Sequence, residues 1–446
     1  MGSERMKRVL LIYPRQKDVY MSTDTPYPFP IPGLTLLASF FPQQYEVKIV
    51  NEFLNEIDFE AEVDLVGITA LTVQAKRAYE IADRFRERGV PVLLGGVHAT
   101  FMPEEAKEHA DAVVLGEAEL IMAQLIADWE QGTLKSSYKA EKLHDLHGLP
   151  EPRRDLLGKG YSPIFKVIET TRGCPNRCEF CAVPVIAGRK YRTRPLTDID
   201  GELQAMVQKH GEYIFIVDDN VIAQRSHAQG LFEILKRYQV RWMGFATIEI
   251  AKDEKLLKLA RESGCISFFV GFESLTKENL EGPKRKFRGT KDLQGFIKRI
   301  HDHGIGIQGS FIFGFDHDNE GVFERTIEFI HLNRIELPTF SVLTPFPGTP
   351  LWERLEGEGR IFDRNWSHYD MSRVVFTPAR MTPDQLQRGY LWAQKYSCAP
   401  RSILRRLLLG PRNHLGYFLL SNFILRKAQM RVIKRLRSIP FPPNPS

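Results

Sequence analysis

Cysteine is scarce and unevenly placed in this chain. Five occur in 446 residues, none lies among the first 173, three fall within eight positions, and Cys265 and Cys398 stand alone. An odd count behind an N-terminus without an export signal excludes a disulfide framework and points to a cytoplasmic setting. Long apolar runs are also missing. The opening MGSERMKRVLLIYP reaches only a strand's worth before Pro14 and Arg15, which excludes a signal peptide. Leu415 to Leu425 would span only ~16 Å as a helix, well short of the ~30 Å hydrocarbon core. Acidic residues vanish after Asp384, where twelve Lys or Arg remain, so the net charge of +6 belongs to that tail. With 43% hydrophobic and 26% charged residues the chain is neither disordered, fibrous nor a multi-span membrane protein, and its length predicts two or three domains.

What is present is an alternation of short apolar runs and amphipathic segments. Val9–Tyr13, Val47–Val50, Leu65–Ala70, Val92–Leu94 and Val113–Leu115 read as strands buried on both faces. The intervening AKRAYEIADRFRER repeats Ala78, Ile81, Ala82 and Phe85 at helical spacing. Residues 1–135 are therefore expected to form a five-stranded, doubly wound parallel sheet of Rossmann-like type. Residues 136–160, with Leu149-Pro150-Glu151-Pro152, read as a linker. Six further strands predict a partial (β/α)6 barrel of TIM type over residues 161–347: Phe165–Glu169, Ile214–Asp218, Met243–Thr247, Ser267–Phe272, Gln308–Phe313 and Thr339–Leu343. Residues 348–446 read as a helical region ending in a basic amphipathic tail.

The three clustered cysteines, Cys174, Cys178 and Cys181, have the spacing C-x3-C-x2-C and follow the first barrel strand. Three thiolates this close can hold three corners of a 4Fe-4S cluster and leave the fourth iron open for chemistry. A structural zinc ion would call for a fourth protein ligand, and no Cys or His follows at customary spacing.

Thr171-Arg172-Gly173-Cys174-Pro175-Asn176-Arg177-Cys178-Glu179-Phe180-Cys181 resembles the signature of the radical S-adenosylmethionine (SAM) superfamily. The resemblance implies that Cys174, Cys178 and Cys181 are the catalytic and metal-binding residues. SAM would chelate the open iron, and reductive cleavage would yield a 5'-deoxyadenosyl radical. It also implies SAM contacts from Phe180, from Asp218 and Asp219 at the second strand end, from Glu249 and Glu273 after the third and fourth, and close approach of adenine to Gly309 and Gly314. Pro345-Phe346-Pro347-Gly348-Thr349-Pro350 closes the sixth strand in a form frequent in that family. Reduction demands a very negative potential, so a flavodoxin or ferredoxin donor is expected.

The first 135 residues resemble the cobalamin-binding domain fused to many radical SAM enzymes. The resemblance rests on Phe29-Pro30-Ile31-Pro32-Gly33-Leu34, Thr69-Ala70-Leu71-Thr72, Gly95-Gly96-Val97-His98-Ala99-Thr100 and Gly116-Glu117-Ala118-Glu119. It assigns cofactor contacts to Thr69, Leu71, Thr72, Gly95, Gly96, His98, Gly116 and Glu117. The D-x-H-x-x-G motif, whose His ligates cobalt elsewhere, is missing after the first strand, so cobalamin would bind without a protein histidine on the metal.

These resemblances imply a cobalamin-dependent C-methyltransferase acting on an unactivated carbon of a hydrophobic substrate, lipid-, tetrapyrrole- or natural-product-like. An anaerobic cyclase, oxidase or other carbon-carbon bond former shares the same domains. A transfer RNA methylthiotransferase would place further cysteines in the N-terminal domain, which has none, and a non-enzymatic cobalamin sensor would release no 5'-deoxyadenosine. The basic tail suits either an anionic membrane surface or a cap on the barrel, and nucleic acid finds no stacking platform in it.

Overall fold

The sequence Lys-Arg-Val-Leu-Leu-Ile-Tyr forms β1 (Lys7–Tyr13), whose Val9 to Ile12 are buried without alternation, as a central strand of a parallel sheet demands. This computed structural model describes residues 5–16, 28–162, 165–280, 293–408 and 413–436. Around β1 lie β2 (Tyr45–Asn51), β3 (Leu65–Thr69), β4 (Val92–Gly95), β5 (Ala112–Leu115) and β6 (Ser137–Lys139), all parallel, in the order β2-β1-β3-β4-β5-β6. Helices α1 (Pro32–Ala38), α2 (Ala75–Glu87), α3 (Gly96–Phe101), α4 (Pro103–His109) and α5 (Met122–Glu130) cover the two faces. Chain direction along the order reverses between β1 and β3, the place where doubly wound sheets bind ligands. The sixth strand corrects the five-stranded expectation: β6 lies in the segment read as a linker.

The second sheet is the barrel wall. It holds β7 (Phe165–Ile168), β10 (Tyr213–Ile216), β11 (Arg241–Ala246), β12 (Cys265–Glu273), β13 (Gly306–Phe313) and β14 (Leu337–Val342), six parallel strands paired in sequence order and left open between β14 and β7. Between β7 and β10 sit a two-stranded antiparallel ribbon, β8 (Thr171–Arg172) with β9 (Arg192–Thr193), and the short α6 (Val183–Ile186). Helices α7 (Leu196–Met206), α8 (Arg225–Arg237), α9 (Glu254–Glu262), α10 (Lys277–Leu280), α11 (Leu293–Asp302) and α12 (Val322–Leu332) succeed one another along the barrel segment. One large cluster joins the convex face of the sheet, through Ile214, Trp242, Phe268 and Phe311, to α8, α9 and α12.

Period-two alternation sends the other set of strand residues to the concave face. There Phe215, Phe245 and Phe269, one from each of three neighbouring strands, form a row with ring centroids 5.7 and 4.8 Å apart. Phe29, from the N-terminal domain, reaches the same face and touches Phe165 and Phe215.

After the barrel come α13 (Pro350–Gly357), α14 (Pro383–Ser397), α15 (Pro400–Leu408) and α16 (Leu415–Leu436). The capping box of Thr382 and Gln385 starts α14. Buried Arg406 joins the last three helices, donating to the Ser397 carbonyl, the Ser402 hydroxyl and the Asn422 amide oxygen. Among the described residues no helix is long and apolar enough to cross a membrane.

Candidate functional site

The cysteine loop leaves β8 through Gly173, at φ +88°, where an added Cβ would collide with the Lys190 carbonyl oxygen. Cys174 is buried and Cys178 and Cys181 are half-buried. The Cys174 N–H donates to Gly188 O at 3.2 Å and the Cys181 N–H to Cys178 O at 3.1 Å, so the loop folds back on itself. Phe180 packs on the barrel core with its ring edge-on to Phe315. The segment after β14 pins the same loop, since the Leu351 N–H donates to the Glu179 carbonyl and Arg354 pairs with the Glu179 carboxylate at 3.2 Å. Among the described residues no three His, Cys, Asp or Glu side chains converge as ligands of a single ion. A cubane spreads its thiolates over separate corners, and the loop's all-sulfur donor set fits it.

The strand-end residues divide. Asp218 is fully buried and accepts from the N–H groups of Thr170 at 2.6 Å and Thr171 at 3.0 Å, and from the Thr170 hydroxyl. Burial pushes its pKa up to about 7 against those donors. Both its oxygens therefore fasten the base of the cysteine loop, which departs from the expected SAM contact. Glu249 departs too, lying exposed on a 3-10 turn and pairing with Lys252 at 2.9 Å. Glycine at 309 serves packing, because a Cβ there would press on Ile335, Phe311 and Phe272. At Gly314, φ +108°, a Cβ would meet Leu386 and Phe376. Asp219 and Glu273 remain half-buried at strand ends. Glu273 has φ +63°, a left-handed backbone that costs a non-glycine residue about 1–3 kcal/mol and persists only where the surroundings enforce it.

In the N-terminal domain a cavity of ≈ 240 Å³ opens between the sheet and helices α1 and α5. Thr69, Gly95, Gly96, Gly116 and Glu117 line it. Gly96 must be glycine, with φ +89° and Thr69 Oγ1 only 2.6 Å from where a Cβ would stand. At Gly33, also on the wall, an added Cβ would meet nothing within 4 Å. Leu71, Thr72 and His98 lie off the lining. The imidazole of His98 is buried beside Glu105, 3.3 Å away, and edge-on to Trp366, a packing position.

Arg172, two residues before Cys174, lines this same cavity. Its guanidinium meets Glu119 at 2.6 Å, Glu117 at 3.6 Å and Glu169 at 2.9 Å. Burial opposes the charge, and the three carboxylates more than offset it, raising the pKa. Arg192 on β9 grips Glu117 in bidentate fashion, at 2.6 and 2.8 Å. The carboxyl ends of the two sheets thus face each other across an ion-paired seam. Sequence reading missed both arginines, whose partners come from another domain. It also missed the second cavity, ≈ 370 Å³ on the concave side of the barrel, lined by Phe269, Ser310, Ser341, Gln394 and, from α16, Gln429 and Ile433. Gln394 Oε1 is buried there without a hydrogen-bond partner.

Comparison with known proteins agrees with this geometry. Residues 168–330 match the Radical SAM superfamily, residues 23–126 the B12 binding domain, and residues 349–410 a domain of unknown function. The chain is 32% identical to bacteriochlorophyllide d C-12(1)-methyltransferase of Chlorobaculum tepidum, covering 94% of this chain and 93% of that protein. It is 28% identical to the bacteriochlorophyllide d C-8(2)-methyltransferase of the same organism, over 90% and 93%. In fold it resembles the radical SAM methyltransferase TsrM from Kitasatospora setae, solved with cobalamin and a [4Fe-4S] cluster. The TM-score is 0.68 at 16% identity, over 97% of this chain and all of that one.

Proposed function

The chain belongs to the radical SAM enzymes that carry a B12-binding domain, and on that premise we propose that it methylates an unactivated carbon of a flat or amphiphilic, largely apolar substrate. The family's cofactors supply the difficult chemistry when bound: the 4Fe-4S cluster cleaves SAM reductively, and cobalamin carries the methyl group. This chain's residues bind, orient and enclose them. Cys174, Cys178 and Cys181 are the cluster ligands in this reading, set by the Gly173 turn and by the hold of Asp218 on the loop base. Asp219 and Glu273, half-buried carboxylates at strand ends, are assigned in this reading to the ammonium of SAM. Thr69, Gly95, Gly96 and Gly116 border the cavity whose walls would hold part of a corrinoid in this reading.

One observation carries the reading. Arg172 belongs at once to the wall of that cavity and to the strand that leads into the cysteine loop, so a methyl carrier and a radical generator held at these two places would be neighbours. The row of Phe215, Phe245 and Phe269 supports an apolar substrate, and the orphaned Gln394 oxygen is an acceptor for a hydroxyl or amine at its end. A flavodoxin or ferredoxin donor, and a lipid surface for the basic tail, belong to the same proposal.

The test is anaerobic reconstitution with iron, sulfide and cobalamin, then incubation with methyl-labelled SAM, dithionite as the electron source and a total lipid extract as the substrate pool, followed by mass spectrometry. We expect bound corrinoid, 5'-deoxyadenosine, and label in an organic-soluble product. Zinc in place of iron, or turnover that survives replacement of all three cysteines by serine, would refute the proposal.

A further inference from the structure

The outward face of the last two helices is built unlike a water-facing surface. Along α16 the exposed positions recur at helical spacing. Leu419, Leu420, Phe423 and Ile424 occupy the first half, and Lys427, Arg431 and Lys434 the second. Phe423 is 66% exposed and Leu420 52%. Helix α15 repeats the pattern, alternating Arg401, Leu404, Arg405 and Leu408 on its exposed side. Exposed apolar side chains are ordinary when scattered, but runs of them on two adjoining helices mark a surface that something covers.

Among the described residues the packing of α16 is done from the opposite stripe, by Phe418, Asn422, Gln429 and Ile433. On α14 the stacked pair Trp392 and Tyr396 is also exposed, rings of the kind that settle at a membrane-water boundary.

The covering partner must take up apolar side chains and answer uncompensated positive charge together. A second copy of this chain fails the charge requirement, since a self-complementary contact would set the same arginines and lysines against themselves. A nucleic acid would pair with the cations but leave the Leu and Phe stripe without company. The interface of an anionic bilayer satisfies both, with acyl chains beneath and phosphate above.

We infer that α15 and α16 dock this chain flat on an anionic membrane surface, with Leu420 and Phe423 at acyl depth and Lys427 and Arg431 among the headgroups. The inner side of α16 lines the barrel cavity through Gln429 and Ile433, so docking sets that cavity one helix away from the lipid. This deepens the lipid-surface part of the function proposed above.

The test is sedimentation of the full-length protein with phosphatidylcholine vesicles, with and without phosphatidylglycerol, in the absence of SAM and reductant. Binding is expected on the phosphatidylglycerol vesicles, weakening as salt is raised. The pair Leu420→Ser and Phe423→Ser, and separately Lys427→Glu and Arg431→Glu, should each lower partition by about tenfold or more. Far-UV circular dichroism and iron content should stay unchanged, because these side chains project away from the fold. Failure to sediment with either vesicle, or partition that ignores both pairs, overturns the inference. So does a concentration-dependent dimer abolished by the same pairs. No turnover is measured, so this failure would leave the methylation reading standing. Protein that binds vesicles but takes up no corrinoid would break that reading and not this one.

Discussion

Asp218 shows how a single buried carboxyl can serve the site without touching a ligand. Its folded pKa of about 7 stands above the ordinary 3.8, chiefly through desolvation. A raised acid favours the folded state while it is protonated, so its contribution is fully present below about pH 4 and is lost as pH rises through about 7. The difference amounts to about 4 kcal/mol. Asp218→Asn keeps one oxygen for the Thr170 and Thr171 N–H groups and gives the Thr170 hydroxyl a donor in place of an acceptor. We therefore expect urea midpoints of the variant to hold steady over that interval, while those of the parent protein decline relative to it. Parallel curves would show that desolvation of Asp218 does not set the slope. The Asp-Asp-Asn strand end is visible in the sequence, but which of its two carboxylates turns back into the fold is not, because Thr170 lies 48 residues away.

At the scale of elements, the seam between the sheets rests on a few ion pairs. Glu117 and Arg192 form a bidentate pair whose side chains are less than 10% exposed. Removing one partner of such a pair leaves an unpaired buried charge, typically at a cost of 3–5 kcal/mol. We expect Glu117→Ala to lose about 3 kcal/mol in urea unfolding and Arg192→Met to lose a similar amount. The double variant should cost less than their sum, as a double-mutant cycle would register. Strict additivity would mean that the domains are held elsewhere, for instance by Trp366 donating to Glu105 at 3.0 Å. The strands themselves were legible to within about two residues, since runs such as Leu65 to Thr69 are apolar on both faces. The three-residue Ser137–Lys139 was not, because an edge strand that short and polar has no period to detect. The concave Phe row escaped for another reason: each ring comes from a different strand, and only register aligns Phe245 with Phe269.

Over the whole molecule, the cavity in the N-terminal domain and the barrel are backed by different hydrophobic cores, while a third core, holding Ile68 and Tyr79 together with Trp366 and Tyr369, and the arginine seam join the two parts. Loading of the two cofactor places should therefore be separable. Gly33 sits in the first turn of α1, at the wall of the N-terminal cavity, with space where a side chain would go. Replacing it with leucine fills that space, and a helix position gains up to about 1 kcal/mol when glycine is removed. Stability should thus hold or rise while affinity for hydroxocobalamin, followed by its visible spectrum, falls by at least about tenfold. The iron-sulfur absorbance of the reconstituted variant should match that of the parent. The converse protein, with serine at 174, 178 and 181, should keep its corrinoid and lose its iron. If Gly33→Leu binds corrinoid as tightly as the parent, the cavity beneath α1 is not where the corrinoid is held; if it loses iron as well, the two layers are not independent and the seam transmits more than contact.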